Sequence, residues 1–391
     1  MCPGNAVSLD ALDGTPRGAV LCVVGARPNF MKIAPIMAAF AERPNPLPAV
    51  LVHTGQHYDS EMSESFFDQL GIPKPSVDLE VGSASHAVQT AEIMLRFEPV
   101  LDRLRPRAVL VVGDVNSTIA CSLVAVKKEV PVVHVEAGLR SFDRGMPEEV
   151  NRVLTDQLSE LLFTTEASAA ENLRREGIEP ARVHFVGNVM IDTLLGHRRL
   201  AVPAARTIER IGRPAGPFSD RTGFGVVTLH RPSNVDDPVS LERMLDTFTE
   251  IGRRLPLFFP LHPRTRNALE KSGLLSRLTT GAGIVSCPPL GYLAMLGMMS
   301  EARLVLTDSG GIQEETTALG VPCLTLRQNT ERPITVEQGT NTVVGTDPER
   351  ILEAVSDVLK DGGKAGCVPE LWDGRASHRI REVMERWLNG N

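Results

Sequence analysis

Short runs of β-branched and apolar residues alternate with amphipathic stretches along the whole chain. The first half offers "AVLCVVGA", "AVLVHTG", "AVLVVGD", "VPVVHVEAG", "LLFTTE" and "VHFVGN". The second half repeats the rhythm in "FGVVTLHR", "LFFPLHP", "GIVSCPP", "RLVLTDSG", "VPCLTL" and "NTVVG". Apolar runs of strand length, each followed by a helical pattern, predict parallel strands joined by crossover helices, about six strands per half. At 391 residues the chain exceeds one ordinary core, so two domains are expected. The segment "GHRRLAVPAARTIERIGRPAGPFSDRTG" is rich in Arg, Pro and Gly and reads as a helix end plus an exposed connection. The expected class is therefore α/β, with a first Rossmann-like lobe over 1–188 and a second over 189–375. The terminal stretch "ASHRIREVMERWLNGN" has Ile380, Val383, Met384 and Trp387 at helical spacing, and 376–391 is expected to return and pack on the first lobe. Ligands of open parallel sheets bind beyond the carboxyl ends of the strands, and two facing sheets would share one central cleft.

Charge and composition narrow the function. A net charge of −7 gives no general attraction to nucleic acid, so an anionic ligand has to be held by local groups. The cysteines at 2, 22, 121, 287, 323 and 367 are scattered, four of them inside apolar runs, which fits a reducing cytosol. No stretch approaches the roughly 20 apolar residues of a membrane helix, and a soluble, cytoplasmic protein is expected. Aromatic residues make up only 4% of the chain, so a bound sugar would be gripped by hydrogen bonds and charge.

The unusual polar residues follow strand ends. "GARPNFMK" carries Gly25, Arg27 and Lys32, a glycine turn offering backbone amides and two cations to an anion. It lacks the dinucleotide glycine spacing, and no nucleoside-triphosphatase loop occurs in the chain. In "TDSGGIQEETTALG", Ser309, Gly310 and Gly311 open a helix whose unobstructed amides suit a diphosphate, with Glu315 one turn in for ribose hydroxyls. The plainer alternative is a helix cap made by Asp308 or Ser309. Asp114 ends "VLVVGD" and Glu136 ends "VPVVHVE"; carboxylates there are costly unless paired or used. Glu148 and Glu149 follow Pro147 in a first helical turn, where acids favour the dipole and need no other reason. His230, next to Arg231, and His262 end successive strands of the second half. His134 and Glu136 alternate onto one strand face, but two ligands do not make a metal site and none is expected. Carboxylates with a histidine, beside a diphosphate site, point to proton chemistry on a nucleotide sugar.

Ten motifs in order, from "GARPNFMKIAP", "HTGQHYD" and "VVGDVNST" through "HVEAGLRS", "MPEEVNR", "VGNVMID", "LHRPSNVDD" and "PLHPRT" to "DSGGIQEE" and "NTERPITVEQGTN", closely resemble the non-hydrolysing UDP-N-acetylglucosamine 2-epimerases. That resemblance implies a GT-B fold, a homodimer, no redox cofactor or metal, and reversible conversion of UDP-GlcNAc to UDP-ManNAc. It implies elimination of UDP to 2-acetamidoglucal followed by re-addition after a proton returns to the other face of C2. On this chain the acid/base and charge-stabilising residues would be Asp114, Glu136, Glu148 and His230. The nucleotide and diphosphate contacts would be Arg27, Lys32, Ser309 and Glu315, with His262, Gly310 and Gly311 completing the expected substrate site.

Allosterically activated members resemble "QHREML" where this chain has Gln56-His57-Tyr58-Asp59-Ser60-Glu61, so activation by a second UDP-GlcNAc is not expected. Nor is a bifunctional hydrolase, since the chain ends before a sugar-kinase domain could begin. A GT-B glycosyltransferase would share the nucleotide site but not need acids at 114, 136 and 148, and a catalytically silent sensor would not need Asp114, Glu136 and His230 together.

Overall fold

The apolar runs fold as two wholly parallel sheets. A computed structural model describes residues 17–55, 69–211, 223–280 and 283–390. The first sheet contains β1 (Val20–Val24), β2 (Ala49–His53), β3 (Val77–Asp78), β4 (Ala108–Val112), β5 (Val132–Ala137), β6 (Leu161–Thr164) and β7 (Val183–Phe185). The second contains β8 (Gly225–Thr228), β9 (Leu257–Pro260), β10 (Ile284–Cys287), β11 (Leu304–Thr307), β12 (Cys323–Thr325) and β13 (Asn341–Val343). Their orders are β3-β2-β1-β4-β5-β6-β7 and β10-β9-β8-β11-β12-β13. Each is Rossmann-like, with the order reversing between β1 and β4 or between β8 and β11, the point where such sheets open a crevice at their carboxyl ends. Helices cover both faces, so β1, β4 and β5 are buried along their whole length, as continuous apolar runs require.

Two features escape a reading by pattern. β3 is a two-residue edge strand in "PSVDLE", too short to show alternation. The segment expected as an exposed connection contains a helix, Ala204–Arg210, whose Ala204 and Ile208 are 2% exposed and pack with Phe224, Met298 and Met299. Its apolar positions are few, and the surrounding Pro and Arg hide them.

The chain divides into two compact units, one running to Thr193 and resuming at Glu370, the other spanning Leu194–Pro369. The division falls inside the helix Val189–His197, a few residues beyond 188, and the chain re-enters the first unit ahead of 376. In that unit the terminal helix Ala376–Gly390 lies on the helix Arg27–Ala41: Arg381 donates to the carbonyls of Ala39 (2.8 Å) and Asn45 (2.7 Å). Asp192 receives its first turn, accepting from the amides of Ala376 (3.0 Å) and Ser377 (2.7 Å). Burial raises the Asp192 carboxyl above its usual range, against the pull of these hydrogen bonds. Cys22, Cys121, Cys287 and Cys323 are buried thiols, and burial pushes Cys22 up to about 12.

Candidate active site

In the first unit the turn after β1 is organised by Asn29. Its side-chain oxygen accepts from the amides of Gly25 (3.1 Å) and Ala26 (3.0 Å), and its amide nitrogen donates to the Val112 carbonyl at the end of β4 (2.9 Å). The expectation that this turn offers amides to an anion is thereby corrected, because a side chain three residues into the helix has taken them. Arg27 starts this helix, and its side chain lies outside the described part of the structure. Lys32 is 6% exposed, and its Nζ lies 2.6 Å from Glu136 Oε2. The cation expected at a diphosphate is here the counter-ion of the most buried candidate acid.

Glu136 is 2% exposed and holds φ at +75°, in the left-handed region, where β5 slips register against β6 between Val135 and Ala137. A non-glycine residue kept there stores about 1–3 kcal/mol, a strain that persists only where the surroundings over-determine it. Gly138, two residues on, also has positive φ (+79°), and a Cβ there would stand 2.5 Å from the Ala169 carbonyl oxygen. The strand end can therefore turn only with glycine at 138.

Asp114, at the end of neighbouring β4, receives Arg152 Nη2 at 2.6 Å. Arg152 also pairs with Glu149, so one buried guanidinium bridges the two acids. Sequence reading missed Arg152; its only signal is the three-residue helical spacing from Glu149. The two acids after Pro147 then separate. Glu149 is buried and accepts from the amides of Ser141 (2.9 Å) and Phe142 (2.9 Å) and from the Ser141 hydroxyl (3.0 Å). Glu148 is half-buried beside it in the first turn of the helix Pro147–Leu158. Glu149→Ala is expected to destabilise by about 1–3 kcal/mol by leaving the Ser141 and Phe142 amides without their acceptor, while Arg152 keeps Asp114. Glu148→Gln is expected to leave urea unfolding unchanged and lower turnover. Equal stability losses in the two variants would reverse this division.

His134, one strand position before Val135, has both ring nitrogens occupied, Nδ1 at 2.6 Å from Asp156 and Nε2 at 2.8 Å from the Gly113 carbonyl. Among the described residues no group of three or more His, Cys, Asp or Glu is arranged to hold a metal ion.

In the second unit Asp308 ends β11, fully buried, and accepts from the amides of His230 and Arg231 (both within 3.1 Å), from Asn234 (3.1 Å) and from His230 Nδ1 (2.8 Å). Burial would raise its carboxyl, but the His230 ring and these amides outweigh it and hold it below the usual range. Fixed through Nδ1, the His230 ring remains 35% exposed. His262 is a helix cap, its Nδ1 accepting from Arg264 N (3.2 Å), with its ring 5.6 Å from that of His230.

The helix Gly310–Leu319 begins without a side-chain cap from Ser309, and Asp308 is occupied elsewhere. The plainer reading of this motif as a helix cap is thus set aside. A Cβ at Gly310 would stand 2.6 Å from Glu331 Oε1, so glycine lets the helix end approach a buried ionic cluster. In that cluster Arg327 meets Glu331 (2.7 Å), Arg332 meets Glu314 (2.8 Å) and Arg231 approaches Glu331 (3.5 Å). Three guanidinium groups face two carboxylates beside the positive end of a helix, a setting suited to an anion. Burial opposes ionisation of Glu331, yet Arg332, Arg327 and Arg231 hold it far below the usual range. Glu315 is buried against Tyr292, whose hydroxyl is raised first by burial and then by the Glu315 charge.

The chain as a whole is similar to known proteins. Residues 40–385 match the family model described as UDP-N-acetylglucosamine 2-epimerase. The chain belongs to this family. It is an α/β protein of GT-B type and an isomerase. The chain is 39% identical over 340 residues to the UDP-N-acetylglucosamine 2-epimerase of Methanococcus maripaludis, covering 86% of this chain and 91% of that protein. It is 40% identical over 374 residues to the UDP-2,3-diacetamido-2,3-dideoxy-D-glucuronate 2-epimerase of Pseudomonas aeruginosa, covering 94% and 99%. The crystal structure of the Methanocaldococcus jannaschii UDP-GlcNAc 2-epimerase in complex with UDP-GlcNAc and UDP superimposes with a TM-score of 0.84 at 38% identity, over 94% of this chain and 99% of that one. No helix among the described residues is long and apolar enough to cross a membrane.

Proposed function

We propose that this epimerase inverts C2 of UDP-GlcNAc reversibly to give UDP-ManNAc, supplying ManNAc units for cell-surface polysaccharide. The observation that carries the reading is the pair of adjacent strand ends in the first unit, where two carboxylates each meet a buried cation: Glu136 on Lys32 and Asp114 on Arg152. A cation beside a carboxylate favours its charged form, the form in which a carboxylate serves as a base.

The C2 hydrogen is not acidic, so cleavage of the C1–O bond has to run ahead of its removal. The C1–O electron pair leaves with UDP, a carboxylate takes the C2 proton, and C1=C2 forms as 2-acetamidoglucal. Asp114, Glu136 and Glu148 supply the acids and bases, and a proton returned to the other face of C2 precedes re-addition of the UDP oxygen at C1. No redox cofactor or metal enters these steps. The Ser309 amide already donates to Thr307 Oγ1 (3.0 Å), which corrects the expectation of three open amides; in the second unit the amides at Gly310 and Gly311, the Ser309 hydroxyl and the surplus guanidinium charge around Glu331 take up charge on the diphosphate. Glu315 accepts from ribose hydroxyls, and His230 acts where charge develops on the leaving group. Arg27 is assigned to the diphosphate and His262 to a supporting place beside His230.

A homodimer is part of the same reading. The helices His86–Leu104 and Pro147–Leu158 leave Val88, Leu95, Val150 and Leu154 exposed around a groove lined by Thr90, Met94 and Asn151, a face suited to a second copy. Leu95→Glu with Leu154→Glu is expected to shift the mass measured by light scattering from dimer to monomer; an unshifted dimer places the interface elsewhere.

The Pseudomonas aeruginosa relative carries a second substrate reading, UDP-2,3-diacetamido-2,3-dideoxy-D-glucuronate. Proton NMR in D₂O with each UDP-sugar separates the two. Deuterium at C2 of both epimers of UDP-GlcNAc is expected; exchange only with the diacetamido uronate would move the substrate, and exchange with neither would overturn the epimerase reading.

A further inference from the structure

A buried strap of side chains grips the backbone beside both Asp114 and Glu136. His134 is fully enclosed on β5. Its Nε2 donates to the Gly113 carbonyl at 2.8 Å, because a carbonyl only accepts. Its Nδ1 lies 2.6 Å from Asp156 Oδ1, while Asp156 Oδ2 accepts from the Gly138 amide (3.0 Å) and the Arg140 guanidinium (2.7 Å). Burial would raise the Asp156 carboxyl, but His134 and Arg140 outweigh it and hold it low. Both ring nitrogens are thus held, one on the Gly113 carbonyl and one on the Asp156 carboxyl. Arg140 in turn reaches outward to Glu176, at 2.8 and 2.5 Å.

The placement of these bonds matters more than their number. Gly113 immediately precedes Asp114, and Gly138 follows Glu136 by two residues. One imidazole ring and one carboxylate therefore hold the exits of β4 and β5 together, across the register slip where Glu136 takes its left-handed φ. A strand interior closes just as well on apolar side chains, and burying the Asp156–Arg140 ion pair together with His134 there is expensive. What the charged strap adds is direction: hydrogen bonds fix the two chain exits in a way that apolar packing does not.

Resting on the epimerase reading above, we propose that His134 and Asp156 are positioning residues that set the separation of the Asp114 and Glu136 carboxylates working on C2. When the separation is wrong, a proton removed from C2 is not matched by delivery to the other face. The intermediate then escapes as 2-acetamidoglucal or collapses back to the starting epimer with solvent hydrogen at C2.

Asp156→Asn keeps the shape and removes the charge. It is expected to lower kcat by about 100-fold, the scale of a small misplacement of reacting groups, with UDP affinity by calorimetry unchanged. In D₂O it is expected to raise free 2-acetamidoglucal and C2-deuterated starting epimer relative to product epimer. A folded variant with wild-type partition, whether or not its melting temperature falls, overturns the proposal, because a merely structural role leaves the partition alone. If Asp156→Asn does not fold, Glu176→Gln at the partly exposed outer anchor reads the same ratio. A smaller rise is expected there, and an unchanged ratio again overturns it. Wild-type protein that exchanges no hydrogen at C2 would instead sink the epimerase reading.

Discussion

Glu136→Gln is expected to lower epimerisation by about 10²–10⁴-fold, the usual worth of a positioned proton-transfer group, with UDP affinity retained. An amide cannot take the C2 proton, and no other acid can replace one set by a left-handed φ at a register slip. The same substitution also carries a stability penalty. Lys32 Nζ, 2.6 Å from the carboxylate and almost wholly buried, loses its counter-ion, and breaking a buried pair by removing one partner costs about 3–5 kcal/mol. The two effects separate in a double variant. Adding Lys32→Met to Glu136→Gln is expected to recover most of the urea stability and none of the turnover. Lys32→Met alone is expected to reduce both, because it strands the acid instead. Near-native turnover in Glu136→Gln would remove Glu136 from the chemistry, whatever the stability data gave.

The strands and their ends were readable because continuous apolar runs have few other uses, and Asp114, Glu136, His230 and His262 do lie at or just past them, whereas Glu148, Glu149 and Glu315 sit in helices. Partnership was not readable. Lys32 looked like a phosphate ligand because a cation after a glycine turn usually points outward; its pairing with Glu136 depends on β1 and β5 flanking β4, which no local pattern shows. The turn amides of Gly25 and Ala26 looked available until Asn29 was seen to fill them. Glu148 and Glu149 are indistinguishable in sequence, both favourable in a first helical turn, and only the fold of Ser141 and Phe142 onto Glu149 divides them. Asp308 passed as a helix cap for the same reason: the residue type suits both roles, and the choice is made by β8 lying beside β11. Arg152 and Asp156 were missed, and His134 was weighed only as a metal ligand, because a buried polar side chain inside an amphipathic helix or a strand is recognised only through its partner.

Asp308→Asn should be the most damaging single change in the second unit, for two separable reasons. Asp308 accepts from two backbone amides, Asn234 and the His230 ring, and is fully buried. An amide offers one acceptor oxygen and turns a donor toward groups that also donate, so a loss of about 2–5 kcal/mol is expected. The sign of its pH dependence follows from the depressed carboxyl. A group whose folded value lies below its unfolded one stabilises fully above the unfolded value, near pH 3.9, and loses that contribution as pH falls through the folded value. The stability gap between wild type and variant should therefore be level from neutral pH down to about 4 and close below it. A gap that instead widened under acid would mean that Asp308 is protonated in the folded protein. Turnover falls for the second reason: Asp308 fixes the His230 proton on Nδ1 and leaves Nε2 outward, whereas an amide nitrogen there forces the opposite tautomer. A loss of about 10²–10⁴-fold is the scale for such an Asp–His pair, and it should persist when the variant is assayed well below its melting temperature. Wild-type turnover in a destabilised but folded Asp308→Asn would reduce this pair to a structural brace between β8 and β11 and take His230 out of the reaction with it.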